Sequence, residues 1–147
     1  MNTPWLDASI MSVLAKPGYM QQTYRGIRTL WLNNFDNTFT NQLKGNIKVK
    51  WGRFNFSPGL SYSIFSNYIF FDKKPDVERP QFDILHPNQS AGNQQVFSPE
   101  ANLSVRFFRN FHFRSQAVYT QLWKNDDNAL RLPTWFAQGQ ITYENLL

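Results

Sequence analysis

The feature that most restricts this chain's fold is a change of phase in its apolar–polar alternation at Gly52-Arg53. Before it, Phe39, Leu43, Ile47, Val49 and Trp51 occupy odd positions, with Asn41 and Gly45 in the same row. The even positions between them are Thr40, Gln42, Lys44, Asn46, Lys48 and Lys50, all polar. After it, the even positions Phe54, Phe56, Pro58, Leu60, Tyr62 and Ile64 are apolar, and Arg53, Asn55, Ser57, Gly59, Ser61 and Ser63 are polar or small. A period of two marks a strand with one wet face, because successive side chains point to opposite sides. A two-residue Gly-Arg turn sets Trp51 opposite Phe54, so the two apolar rows coincide on one face. The segment therefore predicts a β-hairpin with one apolar face and one cationic, hydroxylated face. Pro58 lacks an N–H, which predicts a bulge or an irregular pair there.

The pattern recurs along the chain. Strands are expected at about 6–15, 37–51, 54–70, 95–107, 111–123 and 132–145, in one domain spanning 1–147. The first, Leu6 to Ala15, alternates only weakly. Ile27, Trp31 and Phe35 continue the odd row of the second strand upstream, whereas the cluster Asn33 to Asn37 reads as a loop. Both readings of its start stay open. Later strands carry Phe97, Leu103, Val105 and Phe107, then Phe111, Phe113, Ala117 and Tyr119, then Trp135, Ala137, Ile141 and Tyr143 on their apolar sides. The turn Phe108-Arg109-Asn110 is expected to use Asn110 in the left-handed region. Long polar loops are expected at 72–93 and 124–131, and no window shows helical spacing.

Composition narrows the function classes. The chain has 147 residues and a formal net charge of +5, with no block of like charge. Its aromatic residues, 17% of the total, are spread over every strand-like segment rather than gathered into a stacking platform. No nucleic-acid partner is expected. Cysteine is absent, which excludes disulfides and thiolate metal sites. No apolar run reaches the length of a membrane helix, and the first residues MNTPWLDAS lack the features of an export signal. A mean hydropathy of −0.50 does not argue against a membrane, because spanning β-strands show only half their residues to lipid.

Strands joined tightly at one end and by long loops at the other, with aromatics (Trp51, Phe54, Tyr68, Phe70, Phe71, Trp123, Trp135) near strand ends, are the organisation of an outer-membrane barrel. The expected fold is all-β: an antiparallel up-and-down meander of about six strands forming a transmembrane β-barrel or part of one. Phe39, Leu43, Ile47, Val49, Trp51, Phe54, Phe56, Leu60, Leu103, Val105, Trp135 and Ile141 would face lipid. Lys44, Lys48, Lys50, Arg53, Glu100, Arg106, Arg114 and Glu144 would line a lumen. The alternative is a soluble all-β binding module whose apolar rows form a closed core. His86 and His112 have no spaced partner ligands, and Asp72, Asp76, Glu78 and Asp83 lack the spacing of a calcium loop and are interrupted by Lys73, Lys74 and Arg79. No metal, cofactor or catalytic residue is expected, since no nucleophile or phosphate-loop motif occurs.

Several stretches resemble the "Putative porin" family of Gram-negative outer-membrane barrels, in its C-terminal half. They are Gln22-Thr23-Tyr24, Trp31-x-Asn33-Asn34-Phe35-x-Asn37-Thr38, Leu43-x-Gly45 and Phe56-Ser57-Pro58, then Asn67-Tyr68-Ile69-Phe70-Phe71-Asp72 and Leu130-Arg131-Leu132-Pro133. The resemblance implies an outer-membrane location and passive diffusion of small hydrophilic solutes, without cofactor or catalysis. A non-conducting structural barrel in an envelope assembly is the other reading. Family members are longer, begin with a signal peptide and continue past a segment like Tyr143-Glu144-Asn145-Leu146-Leu147. The chain is therefore expected to be a fragment whose missing strands come from a longer parent chain or an oligomer.

Overall fold

The structure, a computed structural model, describes residues 5–26, 29–75 and 83–144. Its main element is one antiparallel sheet, in which β1 (Trp5–Ala15), β4 (Thr38–Trp51), β5 (Phe54–Ser66), β8 (Asn93–Phe107), β9 (Phe111–Tyr119) and β11 (Trp135–Tyr143) lie side by side in that order. A seventh strand, β10 (Gln121–Lys124), continues β9 along β8. Two small hairpins stand apart from this sheet: β2 (Thr23–Arg25) with β3 (Leu30–Leu32), and β6 (Ile69–Pro75) with β7 (Asp83–Gln89). One helical turn, α1 (Tyr19–Gln22), follows β1, although no window of the sequence shows helical spacing.

The turn between β4 and β5 explains the change of phase. Gly52 has φ of 59°, whereas Arg53 is not in the positive-φ region, the pattern of a type II′ turn with glycine at its first central position. Trp51 lies opposite Phe54, as the alternation requires. The register is the same on both sides of Pro58, from Asn46 opposite Gly59 to Val49 opposite Phe56. No bulge forms. The proline instead leaves a gap of two pairs toward β4, while its other side stays paired, opposite Ala101. A missing donor removes hydrogen bonds from one edge only, so the strand need not shift.

Several boundaries differ from the sequence reading. The strand expected over 54–70 ends at Ser66, because Asn67 turns the chain with φ of 55°. The loop expected over 72–93 contains most of the β6–β7 hairpin; Asp76, Glu78 and Arg79 lie outside the described residues. The strand expected over 111–123 is interrupted at Thr120, whose N–H bonds Thr134 instead, and a register shift follows between Leu122 and Lys124. The strand expected over 132–145 is shorter, Trp135–Tyr143, and the loop before it holds a 3₁₀ turn at Asp126–Asn128. The second strand begins at Thr38, with Asn33–Asn37 as a loop; Ile27 lies outside the described residues. In the turn after β8 the left-handed residue is Phe108, at φ of 56°, not Asn110. Its ring makes edge contacts with Phe107 and Phe111, which offset the steric cost of that backbone.

The sheet is a single layer. The buried apolar residues are Phe70, Val96, Ala129 and Leu130, while Leu6, Ile10, Ile47, Leu60, Trp135 and Ile141 are exposed. The accessible surface is 11275 Å². A compact monomer of this mass would expose roughly 7,800 Å². A closed sandwich core, the alternative considered from the sequence, is not what the chain forms.

Substituting Gly52 by Val places a branched side chain in the left-handed region and is expected to cost about 1–2 kcal/mol. Arg53→Ala should change stability by less than about 0.5 kcal/mol. Urea midpoints of the two variants, measured in lipid vesicles, check the difference.

Candidate functional site

The pairing sorts every strand residue onto one of two faces, because directly opposed residues in an antiparallel pair lie on the same side. On the apolar face one row runs Trp51, Phe54, Val105, Phe113, Ile141 across five hydrogen-bonded strands. The next row is Val49, Phe56, Leu103, Ser115, Gly139. Phe39, Leu43, Ile47 and Leu60 lie on this face too, and Trp135 joins it opposite Tyr119. β1 adds Leu6, Ile10 and Leu14, opposite Ile47, Leu43 and Phe39. Its alternation looked weak because Met11 and Val13 sit on the polar side, opposite Gln42 and Thr40.

Aromatic rings gather in two belts on the apolar face. At the turn end, Phe107 stacks on Phe111 with ring centres 6.0 Å apart, and Phe111 meets Tyr143 at 5.0 Å. At the loop end, Phe97 stacks on Trp123 at 4.8 Å, Trp123 also meets Tyr62, and Tyr119 packs on Trp135. Phe97 and Phe107 mark the two belts on one strand, β8. Ten residues of strand tilted by about 45° span roughly 23 Å.

The polar face is the opposite one. Lys44, Lys48, Lys50, Glu100, Arg106 and Arg114 all lie on it. Arg53 is a turn residue rather than part of a strand face, although its carbonyl accepts from the Arg106 N–H and so continues the ladder. Glu144 follows β11 and approaches His112, with 3.6 Å between Oε2 and Nε2. Asp7, opposite Asn46, is an acidic residue of this face that the sequence reading missed, because β1 hides its alternation.

Glycine shapes one part of the face. Asn46, Gly59 and Glu100 form a direct row across three strands. A Cβ at Gly59 would collide with both neighbours, so the bare glycine lets them close over it. With the Asn46 amide turned to its better-bonded orientation, its nitrogen donates to Glu100 Oε1 at 3.1 Å. Lys44 Nζ donates to the same oxygen at 2.9 Å. The Glu100 charge is thus compensated locally.

Beside this triad lies a trough of about 350 Å³. One of its rows is Asn55, Ser104, Arg114 and Gln140, and the adjacent row is Ser57, Asn102, Gln116 and Gln138. Short side chains on β5 and β8 form the hollow, and long ones on β9 and β11 form its wall. Gln138 Nε2 donates to Gln116 Oε1 at 2.8 Å within that wall. The sequence shows each residue as polar, but only the register across four strands brings them together.

The loop end is held by side-chain amides. Gln89 accepts from the Asp36 N–H and donates to the carbonyls of Asp36 and Asn67. Ser90, fully buried, donates to Asp127 and accepts from Gln94. Asn125 bonds both the N–H and the carbonyl of Leu130. Among the residues considered for metal, His86 packs on Trp31, and Asp72 lies 3.9 Å from Arg131.

An open antiparallel meander with one apolar face, one polar face, tight turns and long loops defines a segment of a β-barrel of the outer-membrane type. The family model described as "Putative porin" matches residues 1–147, and the chain belongs to that family. Among solved structures, one titled "Copper transporter OprC" superposes with a TM-score of 0.70 at 14% identity, over 97% of this chain and 22% of that one. The likeness is one of fold, and the chain spans about a fifth of that protein's length. No curated protein matches the chain.

Gly59→Ala is expected to cost about 1–3 kcal/mol, as overpacking does. The cost should fall by at least about half when Asn46 and Glu100 are both alanine, because neighbours couple. Urea titration of the single, double and triple variants measures that coupling.

Proposed function

We propose that this chain is part of a diffusion barrel in the outer membrane of a Gram-negative bacterium, admitting small hydrophilic solutes passively and without catalysis. The observation that carries the reading is the uncovered apolar face with its two aromatic belts. A spacing of roughly 23 Å matches the apolar band of about 25 Å that lipid requires between such belts. The polar face then lines water. Family membership supports a porin-like barrel, and the OprC fold supports a meander that continues into a larger barrel.

Among the described residues, β1 and β11 each pair on one side only. In hydrocarbon, each unmet N–H or C=O costs several kcal/mol, so these edges require further strands. In this reading they come from the parent chain or from other copies, and the smallest barrels of this type have about 8 strands. Steady single-channel steps are expected from the complete protein in planar bilayers and not from the refolded 147-residue chain as a verified monomer. The complete protein should show heat-modifiable mobility in detergent gels; purification as a soluble monomer without detergent would exclude the reading.

Two further outcomes separate the faces. Ile47→Arg or Leu103→Arg should lower stability in bilayers by about 2–4 kcal/mol near the midplane, whereas Lys48→Glu should be tolerated. Equal damage from both kinds of change would refute the assignment of faces. Among the described residues of the polar face, Lys48, Arg106 and Arg114 outnumber the acidic Asp7 and Glu144, since Glu100 is paired with Lys44. A mild anion preference follows, read from the reversal potential across a salt gradient.

A further inference from the structure

The trough between β5 and β11 is more specialised than a wetted wall needs to be. Its volume of about 350 Å³ lies at the small end of ligand-binding cavities. Its polar side chains are amides and hydroxyls, each able to donate and accept, with one exception. The exception is Arg114; among the described residues it is the single charged residue in the lining, and it is exposed and makes no ion pair. Lys44, by contrast, is already satisfied by Glu100.

From these groups we infer that the trough is a binding site for a small polyhydroxylated monoanion, of the class of open-chain sugar acids. The inference rests on the polar face lining the solute path. Arg114 supplies a planar pair of donors suited to one carboxylate. A single cation does not match a phosphate dianion. Asn102 and Gln116, level on neighbouring strands about 4.8 Å apart, and Asn55 and Gln140 in the adjacent row offer donor–acceptor groups for hydroxyls spread along a chain. Among the described residues no aromatic ring lines the trough, so none of them stacks on the flat apolar face of a pyranose. A chain with hydroxyls along its whole length fits this lining better than a ring does.

The probes are D-gluconate, D-sorbitol and hexanoate, which share the six-carbon frame but carry respectively both features, hydroxyls alone and carboxylate alone. Isothermal titration of the complete protein in detergent should show gluconate binding at least ~5-fold more tightly than either of the others. Arg114→Gln should remove the advantage over sorbitol and leave sorbitol unchanged, Arg114→Lys should retain part of it, and Ser104→Tyr should block the trough for all three. Heat-modifiable mobility verifies that each variant is folded, and Ser104→Tyr provides a test independent of the charge. Equal affinity for gluconate and hexanoate, or gluconate binding indifferent to Arg114→Gln and Ser104→Tyr, would overturn the inference. Planar-bilayer conductance of the same preparation separates the two readings. Gluconate binding without conductance supports the site and refutes the diffusion barrel, and conductance without selective binding does the reverse.

Discussion

Everything in this structure depends on the pairing of main-chain N–H and C=O groups between neighbouring strands. A single-layer sheet has no second layer to bury apolar side chains against, so the ladder and the pairs across it carry its order. The register is accordingly conservative. It passes Pro58 without shifting and continues beyond the last strand residues through the Arg53–Arg106, Thr120–Thr134 and Asn110–Glu144 main-chain bonds. A slip of one residue would move Lys44, Lys48 and Lys50 to the apolar side and Ile47 and Val49 to the polar one. Two-sidedness and register therefore enforce each other.

Within that ladder, side-chain length does the shaping. Glycine at position 59 brings Asn46, Lys44 and Glu100 into one cluster, whereas serine and asparagine on β5 and β8 leave open space beside the longer side chains of β9 and β11. The apolar face follows a different rule. Most of its rings lie toward the two ends, and aliphatic residues such as Leu60 and Leu103, with Phe56 among them, fill the middle, an order that suits a surrounding medium whose polarity changes with depth.

The sheet was legible in the sequence wherever one face is uniformly polar. The Gly52-Arg53 turn, the strands around it and the face of each of their residues follow from period-two alternation alone. Legibility failed where one residue has two tasks. Met11 and Val13 blur β1 because they sit on its polar side, opposite Gln42 and Thr40. Phe108 takes the left-handed place that Asn110 suits better, because ring contacts with Phe107 and Phe111 outweigh backbone preference. The β6–β7 hairpin was hidden in a stretch rich in Lys and Pro, where composition suggests a loop. The trough could not be read at all, since alternation assigns faces but not which residues of distant strands are level.

The amide of Gln89 also sets an order in time. Its partners Asp36 and Asn67 are 53 and 22 positions away in the chain. The β4–β5 hairpin, by contrast, closes across a two-residue turn and needs no distant segment. Loop-closure entropy makes local pairs early and distant ones late. The rim bond to Asp36 thus waits for the strands between, whereas the bond to Asn67 can close with the β6–β7 hairpin, which sets Gln89 opposite Ile69. In a nascent chain the segment around Asp36 is therefore joined to the rim later than the β4–β5 hairpin closes.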